Sequence, residues 1–147
     1  MKILFICTGN TCRSPMAQAI AKQKIKLAGV DNVIKVESAG LFVNDGDKIN
    51  EKAKIALKKL GIKATSRKAK QIRTQDLDKY KLIITMTGAQ KEKINRKNCF
   101  SVYDFCKQEI MDPFGQSQEV YDATAKQLEF AVDVILKKIL GDRKWYI

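Results

Sequence analysis

The chain has 147 residues, 45% of them hydrophobic and 30% charged, the size and balance of one folded domain with a sizeable core, which excludes collagen-like repetition, low-complexity scaffolds and wholesale disorder. Lysine and arginine number 28 against 16 acidic residues, a formal net charge of +12, and histidine is absent; Ser-His-Asp triads, Cys-His dyads and histidine-containing zinc sites are therefore ruled out. Any nucleophile must be activated by charge or by backbone dipoles.

From the amino end, residues 2–6 (KILFI) form a β-favouring apolar run. Ser14-Pro15 then pairs an N-cap residue with proline at the first helical position, so a strand is predicted to pass through a loop into a helix carrying Met16, Ala19, Ile20 and Leu27 and stopping at Gly29. Residues 33–36 read as the second strand. Asn50 caps a second helix whose apolar positions Ala53, Ile55, Ala56, Leu57 and Leu60 lead to Gly61 as its stop. Residues 82–86 (LIITM) form a fully apolar third strand, 88–96 a polar helix, 101–105 a fourth strand, and 117–140 a long amphipathic helix ending at Gly141. This alternation predicts an α/β fold, helices around a parallel sheet, and no repeat, linker or composition break divides residues 1–147.

Residues 40–49 and 107–116 are loops of about ten residues, the length at which loops in small domains often line a site. In an open α/β sheet the ligand crevice lies beyond the carboxyl ends of the strands, where the turn from Cys7 to Arg13 also falls. No apolar run approaches the roughly 20 residues of a spanning helix, and the apolar opening is too short for a secretory signal, so a cytosolic protein is expected. Four cysteines, Cys7, Cys12, Cys99 and Cys106, are too few for a disulfide scaffold, and some of them are expected as reduced, reactive thiols. The lysines are scattered along helices rather than interleaved with aromatics, the pattern of a solvated surface, so neither nucleic acid nor membrane is expected as a partner.

The chemistry concentrates in Cys7-Thr8-Gly9-Asn10-Thr11-Cys12-Arg13-Ser14. A thiol and a guanidinium stand six positions apart across a turn at a helix N-terminus, which is the layout of an anion cradle. Arg13 can grip two oxygens of a tetrahedral phosphate, the same positive field favours the thiolate of Cys7, and Ser14 is placed to donate to its sulfur. Gly9 and Asn10 are the residues best able to take the left-handed conformations a concave loop demands.

With its surroundings, this segment resembles the low-molecular-weight protein-tyrosine phosphatase family, whose signature C-x-x-G-N-x-C-R-S-P is met by Cys7, Gly9, Asn10, Cys12, Arg13, Ser14 and Pro15. The resemblance extends through Glu37-Ser38-Ala39-Gly40, Asp76-Leu77 and Asp112-Pro113, nearly the whole chain in order. It implies a four-stranded parallel sheet flanked by helices with the phosphate-binding loop after the first strand, a Cys7 nucleophile passing through a phosphocysteine, an Arg13 clamp, and a supporting network of Asn10, Ser14 and Ser38. No metal or cofactor is expected; a phosphorylated protein is the partner, inorganic phosphate the product, and the active form a monomer. Asp112 is the acid the chemistry requires: it protonates the leaving atom and then deprotonates the hydrolytic water.

Thr11 stands where tyrosine-directed members usually carry an aliphatic residue, and Phe114-Gly115 follows Asp-Pro where aromatic pairs are common. The combination looks like the bacterial protein-arginine phosphatase branch, with the tyrosine branch as the alternative. Phe42, Phe114 and Thr11 are candidate selectivity positions at the rim. Family members with a second loop cysteine imply that Cys12 resolves an oxidised Cys7 as a disulfide. Cys99 and Cys106 resemble in spacing the relay cysteines of thioredoxin-coupled arsenate reductases but come later in the chain, and are expected as core residues. A hydrolase, a thiol-relay reductase and a non-catalytic anion-binding module therefore remain, the hydrolase alone needing both Cys7 and Asp112.

Overall fold

Four strands lie parallel in the order β2-β1-β3-β4 in a computed structural model that describes residues 1–64 and 67–141. They are β1 (Lys2–Cys7), β2 (Lys35–Gly40), β3 (Leu82–Thr85) and β4 (Cys99–Ser101), joined by α1 (Arg13–Leu27), α2 (Glu51–Lys59), α3 (Gly88–Ile94) and the short α4 (Val102–Cys106). The long α5 (Gln118–Leu140) closes the described chain. A 3-10 turn over Thr74–Lys79 leads into β3.

β1 is buried on both faces, and its pleat sorts its side chains. Ile3, Phe5 and Cys7 face the larger core with Met16 and Ile20 of α1, Leu57 of α2 and Leu128 and Ile135 of α5. Leu4 and Ile6 face a smaller cluster with Ala39, Leu77, Tyr80, Ile83 and Cys99. Helix α5 buries Tyr121, Thr124, Ala125, Leu128, Ala131, Val132, Ile135 and Leu136, a three-and-four spacing that keeps one stripe on the sheet layer. Burying a leucine or isoleucine contributes roughly 1.5 to 3 kcal/mol, so these rows hold the sheet and set where β1 ends.

Several boundaries differ from the expected ones. The second strand runs over Lys35–Gly40 instead of 33–36, because it pairs with all of β1, from Lys2 opposite Lys35 to Cys7 opposite Gly40, while Val33 is 55% exposed in the preceding turn. The fourth strand is Cys99–Ser101 instead of 101–105. Ser101 and Asp104 form a capping box, with the Ser101 amide donating to Asp104 Oδ2 at 2.8 Å, and a box of this kind starts a helix where the β-favouring residue types Val102, Tyr103 and Phe105 alone suggest a strand. Helix α1 starts at Arg13 with Cys12 in the capping position and no side-chain cap, since the Ser14 hydroxyl is engaged elsewhere. The polar helix α3 stops at Ile94 because Asn95 turns left-handed at φ 51°. Asn50 does cap α2, accepting from the Lys52 amide at 2.8 Å.

The strand order changes direction at β1 and β3, so the loop after β1 and the loop after β3 rise side by side at the carboxyl edge, where ligands bind in such sheets. Among the described residues, no helix is long and apolar enough to cross a membrane.

Candidate active site

Between the end of β1 and the start of α1, residues 8–12 turn the chain through a tight arch. Asn10 makes the turn at φ 56°, in the left-handed region that asparagine enters at lower cost than most residues. Its buried side chain is held at both ends. Nδ2 donates to Ser14 Oγ at 2.7 Å and Ser38 Oγ at 3.0 Å, while Oδ1 accepts from the Lys70 amide at 2.9 Å. Gly9, expected to share the left-handed conformation, does not adopt it, and a Cβ there would meet only Thr11 Oγ1 at 3.8 Å. The crowded glycine is Gly40, where a Cβ would lie 2.8 Å from the Thr8 carbonyl oxygen and 3.0 Å from the Asn10 nitrogen. The end of β2 can press against the arch only because that position carries no side chain.

The backbone N–H groups of residues 8–14 find no protein acceptor among the described residues. They belong to the arch and the first turn of α1, so they offer a set of donors backed by the positive end of a helix dipole. Cys7 is buried beneath them, its Sγ 2.9 Å from Ser14 Oγ. Because Asn10 donates to Ser14 Oγ, the Ser14 proton is left for the sulfur. The competing Ala39 carbonyl is more distant, at 3.4 Å.

Arg13, only 5% exposed, donates through Nη1 to the Ile110 carbonyl at 2.9 Å, and its Nη2 lies 3.8 Å from Asp112 Oδ2. Asp112 stands on the 107–116 loop with its carboxylate exposed, Oδ1 accepting from the Phe114 amide at 3.1 Å. The structure thus brings Cys7, Arg13, Ser14 and Asp112 to one end of the sheet from two separate stretches of chain. Phe42 and Phe114 are both displayed outward, 66% and 68% exposed. The Phe42 amide donates to the Thr8 carbonyl at 2.9 Å, and Lys93 Nζ lies 5.1 Å from the Phe42 ring centre. Thr11 is half-buried; its carbonyl accepts from the Asn50 amide at 2.9 Å, and its hydroxyl lies near Cys12 Sγ at 3.7 Å.

Cys12 is buried with its Sγ 3.3 Å from the Tyr121 hydroxyl. Burial pushes its thiol above the ordinary cysteine range, with hydrogen bonds from Tyr121 and Thr11 partly opposing. Cys99 lies at the level of Leu4 through Ile83, three residues short of the end of β1. That is about 10 Å along the strand, in the cluster on the opposite face of the sheet from Cys7. Burial pushes the Cys99 thiol up to about 11. Cys106 packs at the margin of the larger core.

Three further residues serve the loop. Arg67 donates to Asn10 Oδ1 at 3.4 Å, to Gln18 Oε1 at 2.9 Å, and to both the carbonyl and the hydroxyl of Ser38, setting a guanidinium directly behind the arch. Gln18 also accepts from Ser38 Oγ at 2.6 Å. Gln90 of α3 reaches Thr8. Nothing local distinguishes Arg67 or Gln18 in a lysine-rich chain, whereas Thr87 and Gln90 carry the spacing of a capping box.

Comparison with known proteins accords with this geometry. A protein-arginine-phosphatase of Geobacillus stearothermophilus is 37% identical over 147 residues, covering 94% of this chain and 95% of its own. A low molecular weight protein-tyrosine-phosphatase, PtpB, of Staphylococcus epidermidis is 38% identical over 142 residues, covering 92% and 96%. Among solved structures, YwlE arginine phosphatase, as a C7S mutant with phosphorylated active site serine, superimposes with a TM-score of 0.87 at 30% identity, covering 97% of this chain and 98% of that one. The model of the low molecular weight phosphotyrosine protein phosphatases matches residues 2–144, and the chain belongs to that family of cysteine-dependent hydrolases.

Proposed function

We propose that this phosphatase hydrolyses phosphoarginine in proteins through a phosphocysteine on Cys7, with residues 1–147 working as one catalytic domain. The observation that carries the reading is the convergence of a buried Cys7 sulfur at 2.9 Å from Ser14, an immobilised Arg13, and Asp112 at 3.8 Å from that arginine. In the first step the Cys7 thiolate forms an S–P bond as the P–N bond breaks. The loop amides and Arg13 hold the phosphoryl oxygens, and Asp112 protonates the departing guanidine nitrogen. In the second step Asp112 takes a proton from water, which attacks phosphorus, releasing inorganic phosphate and the Cys7 thiolate. Four cysteines without a disulfide suit a reducing compartment such as the cytosol.

Identity alone does not choose the substrate, since relatives named for arginine and for tyrosine are 37% and 38% identical. Thr11 supports arginine: its hydroxyl offers polarity toward a guanidinium, and it lacks the flat aliphatic wall that a phenol ring prefers. The displayed rings of Phe42 and Phe114 favour the second reading, phosphotyrosine. Thr11→Ile decides between them by kcat/KM on phosphoarginine and phosphotyrosine peptides. The wild type is expected to prefer phosphoarginine and the variant to shift toward phosphotyrosine by roughly ten- to two-hundredfold. An unchanged ratio removes Thr11 as the selector, and a wild type preferring phosphotyrosine restores the second reading.

Oxidation is proposed to act at the same loop. Peroxide converts the Cys7 thiolate to a sulfenic acid, and the Cys12 sulfur then attacks it, expelling water and leaving a Cys7–Cys12 disulfide that thiols reverse. Mass mapping after mild peroxide should find this pair, with activity restored by reductant. A bond from Cys7 to Cys99 or Cys106 would instead indicate a relay.

A further inference from the structure

Gln90 is 6% exposed, and its amide is oriented without ambiguity. Oε1 accepts from the backbone N–H of Met86 at 2.9 Å and of Thr87 at 3.1 Å. Two donors admit only the carbonyl oxygen at that end, so the atom facing Thr8 Oγ1, at 3.1 Å, is Nε2. Thr8 must therefore accept, and its own proton points elsewhere. No described protein group takes that proton. Thr8 is exposed, opens the arch directly after Cys7, and is pinned through its carbonyl by the Phe42 amide.

We propose that Gln90 is a positioning residue that directs the Thr8 hydroxyl proton toward the phosphoryl group, making Thr8 a side-chain donor to a phosphoryl oxygen alongside the loop amides and Arg13. The inference rests on residues 8–14 being the phosphate site. Its physical content is the direction of one hydrogen bond. A donor on the α3 side occupies a lone pair of Thr8 and frees its proton for an anion, whereas an acceptor there would take the proton and turn a lone pair toward the same anion. A hydrogen bond to a charged oxyanion is strong enough for its loss to be read as about a tenfold or larger change in affinity.

Competitive inhibition by inorganic phosphate, measured against an activated aryl phosphate at neutral pH, tests this in Thr8→Val, Thr8→Ser, Gln90→Glu and the Thr8→Val/Gln90→Glu double variant. Valine keeps the shape of Thr8 without the proton, and serine keeps the proton. Glutamate still accepts from Met86 and Thr87, two contacts that favour its ionised form, but presents an acceptor to Thr8. Thr8→Val should weaken phosphate about tenfold with little change in melting temperature, and Thr8→Ser should restore it to within about threefold. Gln90→Glu should resemble Thr8→Val, and the double variant should be little worse than Gln90→Glu, with any effect of the added charge read from the two valine backgrounds. Valine and serine variants of equal affinity overturn the proposal, as do fully multiplicative effects of Thr8→Val and Gln90→Glu. If Gln90→Glu does not fold, the valine and serine pair decides alone. A wild type that phosphate does not inhibit overturns the loop assignment itself, an outcome distinct from failure of the Thr8 variants alone.

Discussion

Cys7→Ser is expected to abolish turnover while phosphate still binds. An alcohol in place of the thiol leaves the arch, its free amides and Arg13 in position but removes the sulfur nucleophile of the proposed reaction. Any phosphoryl group that a serine did accept would form an ordinary phosphate ester, far harder to hydrolyse than a thiophosphate, so the expected result is at most one stoichiometric transfer. The YwlE structure with a phosphorylated active site serine is a precedent among relatives for that outcome. Arg13→Lys should be nearly as damaging. A point charge cannot reproduce a planar bidentate grip, and the Ile110 carbonyl loses the guanidinium that meets it at 2.9 Å. Steady-state rates with phosphate binding followed by calorimetry check both variants; activity of Cys7→Ser within tenfold of wild type would exclude a covalent mechanism at this residue.

Asp112→Ala should divide substrates by their leaving groups. Phosphoarginine and phosphotyrosine need a proton delivered to the departing atom and should slow by on the order of a hundredfold or more, the usual worth of a positioned general acid. An activated aryl phosphate, whose phenolate leaves unaided, should lose much less. Equal losses across the series would make Asp112 a structural residue. Glu109 is then the nearer alternative in sequence, but its Oε2 already accepts from the Gly88 amide at 2.6 Å, and Glu119 points from the exposed start of α5. Among the described residues, the carboxylate that pairs with Arg13 is the exposed one of Asp112.

The parts of the site legible in the sequence are those written in consecutive residues. The arch from Cys7 to Ser14 carries the proposed nucleophile, the proposed clamp and the turn residue within eight positions, and strand and helix periodicity on either side places it at a sheet edge. Long amphipathic α5 and capped α2 were equally readable, because their buried stripes repeat several times. The fourth strand lies elsewhere than expected because residues 101–105 hold the β-favouring Val102, Tyr103 and Phe105, while the Ser101–Asp104 spacing that starts a helix is a signal of only two residues. Arg67 and Gln18 were not legible at all. They act across 57 and 20 residues of sequence, on Asn10 and Ser38 respectively, and one arginine in a chain with 28 basic residues carries no mark of burial. Residue type offers the left-handed turn to Gly9 and Asn10 alike, yet within the arch it is Asn10 that takes it, since an anchored amide side chain can hold a conformation that glycine merely permits.

The Ile110 carbonyl that holds Arg13 and the carboxylate of Asp112 lie two residues apart on one stretch of chain, which is pinned by the Ile110 amide to the Met86 carbonyl at 3.0 Å and by a buried Pro113. In the proposed reaction, grip and proton delivery therefore share one mechanical support. A shift of this stretch alters both together, so natural variation cannot readily tune affinity for the anion independently of the rate of its departure. Rim positions such as Thr11 and Phe42 sit on other stretches. If selectivity resides at those positions as proposed, diversification of substrates within such a scaffold is channelled to them, while the supporting stretch stays closed to gradual adjustment.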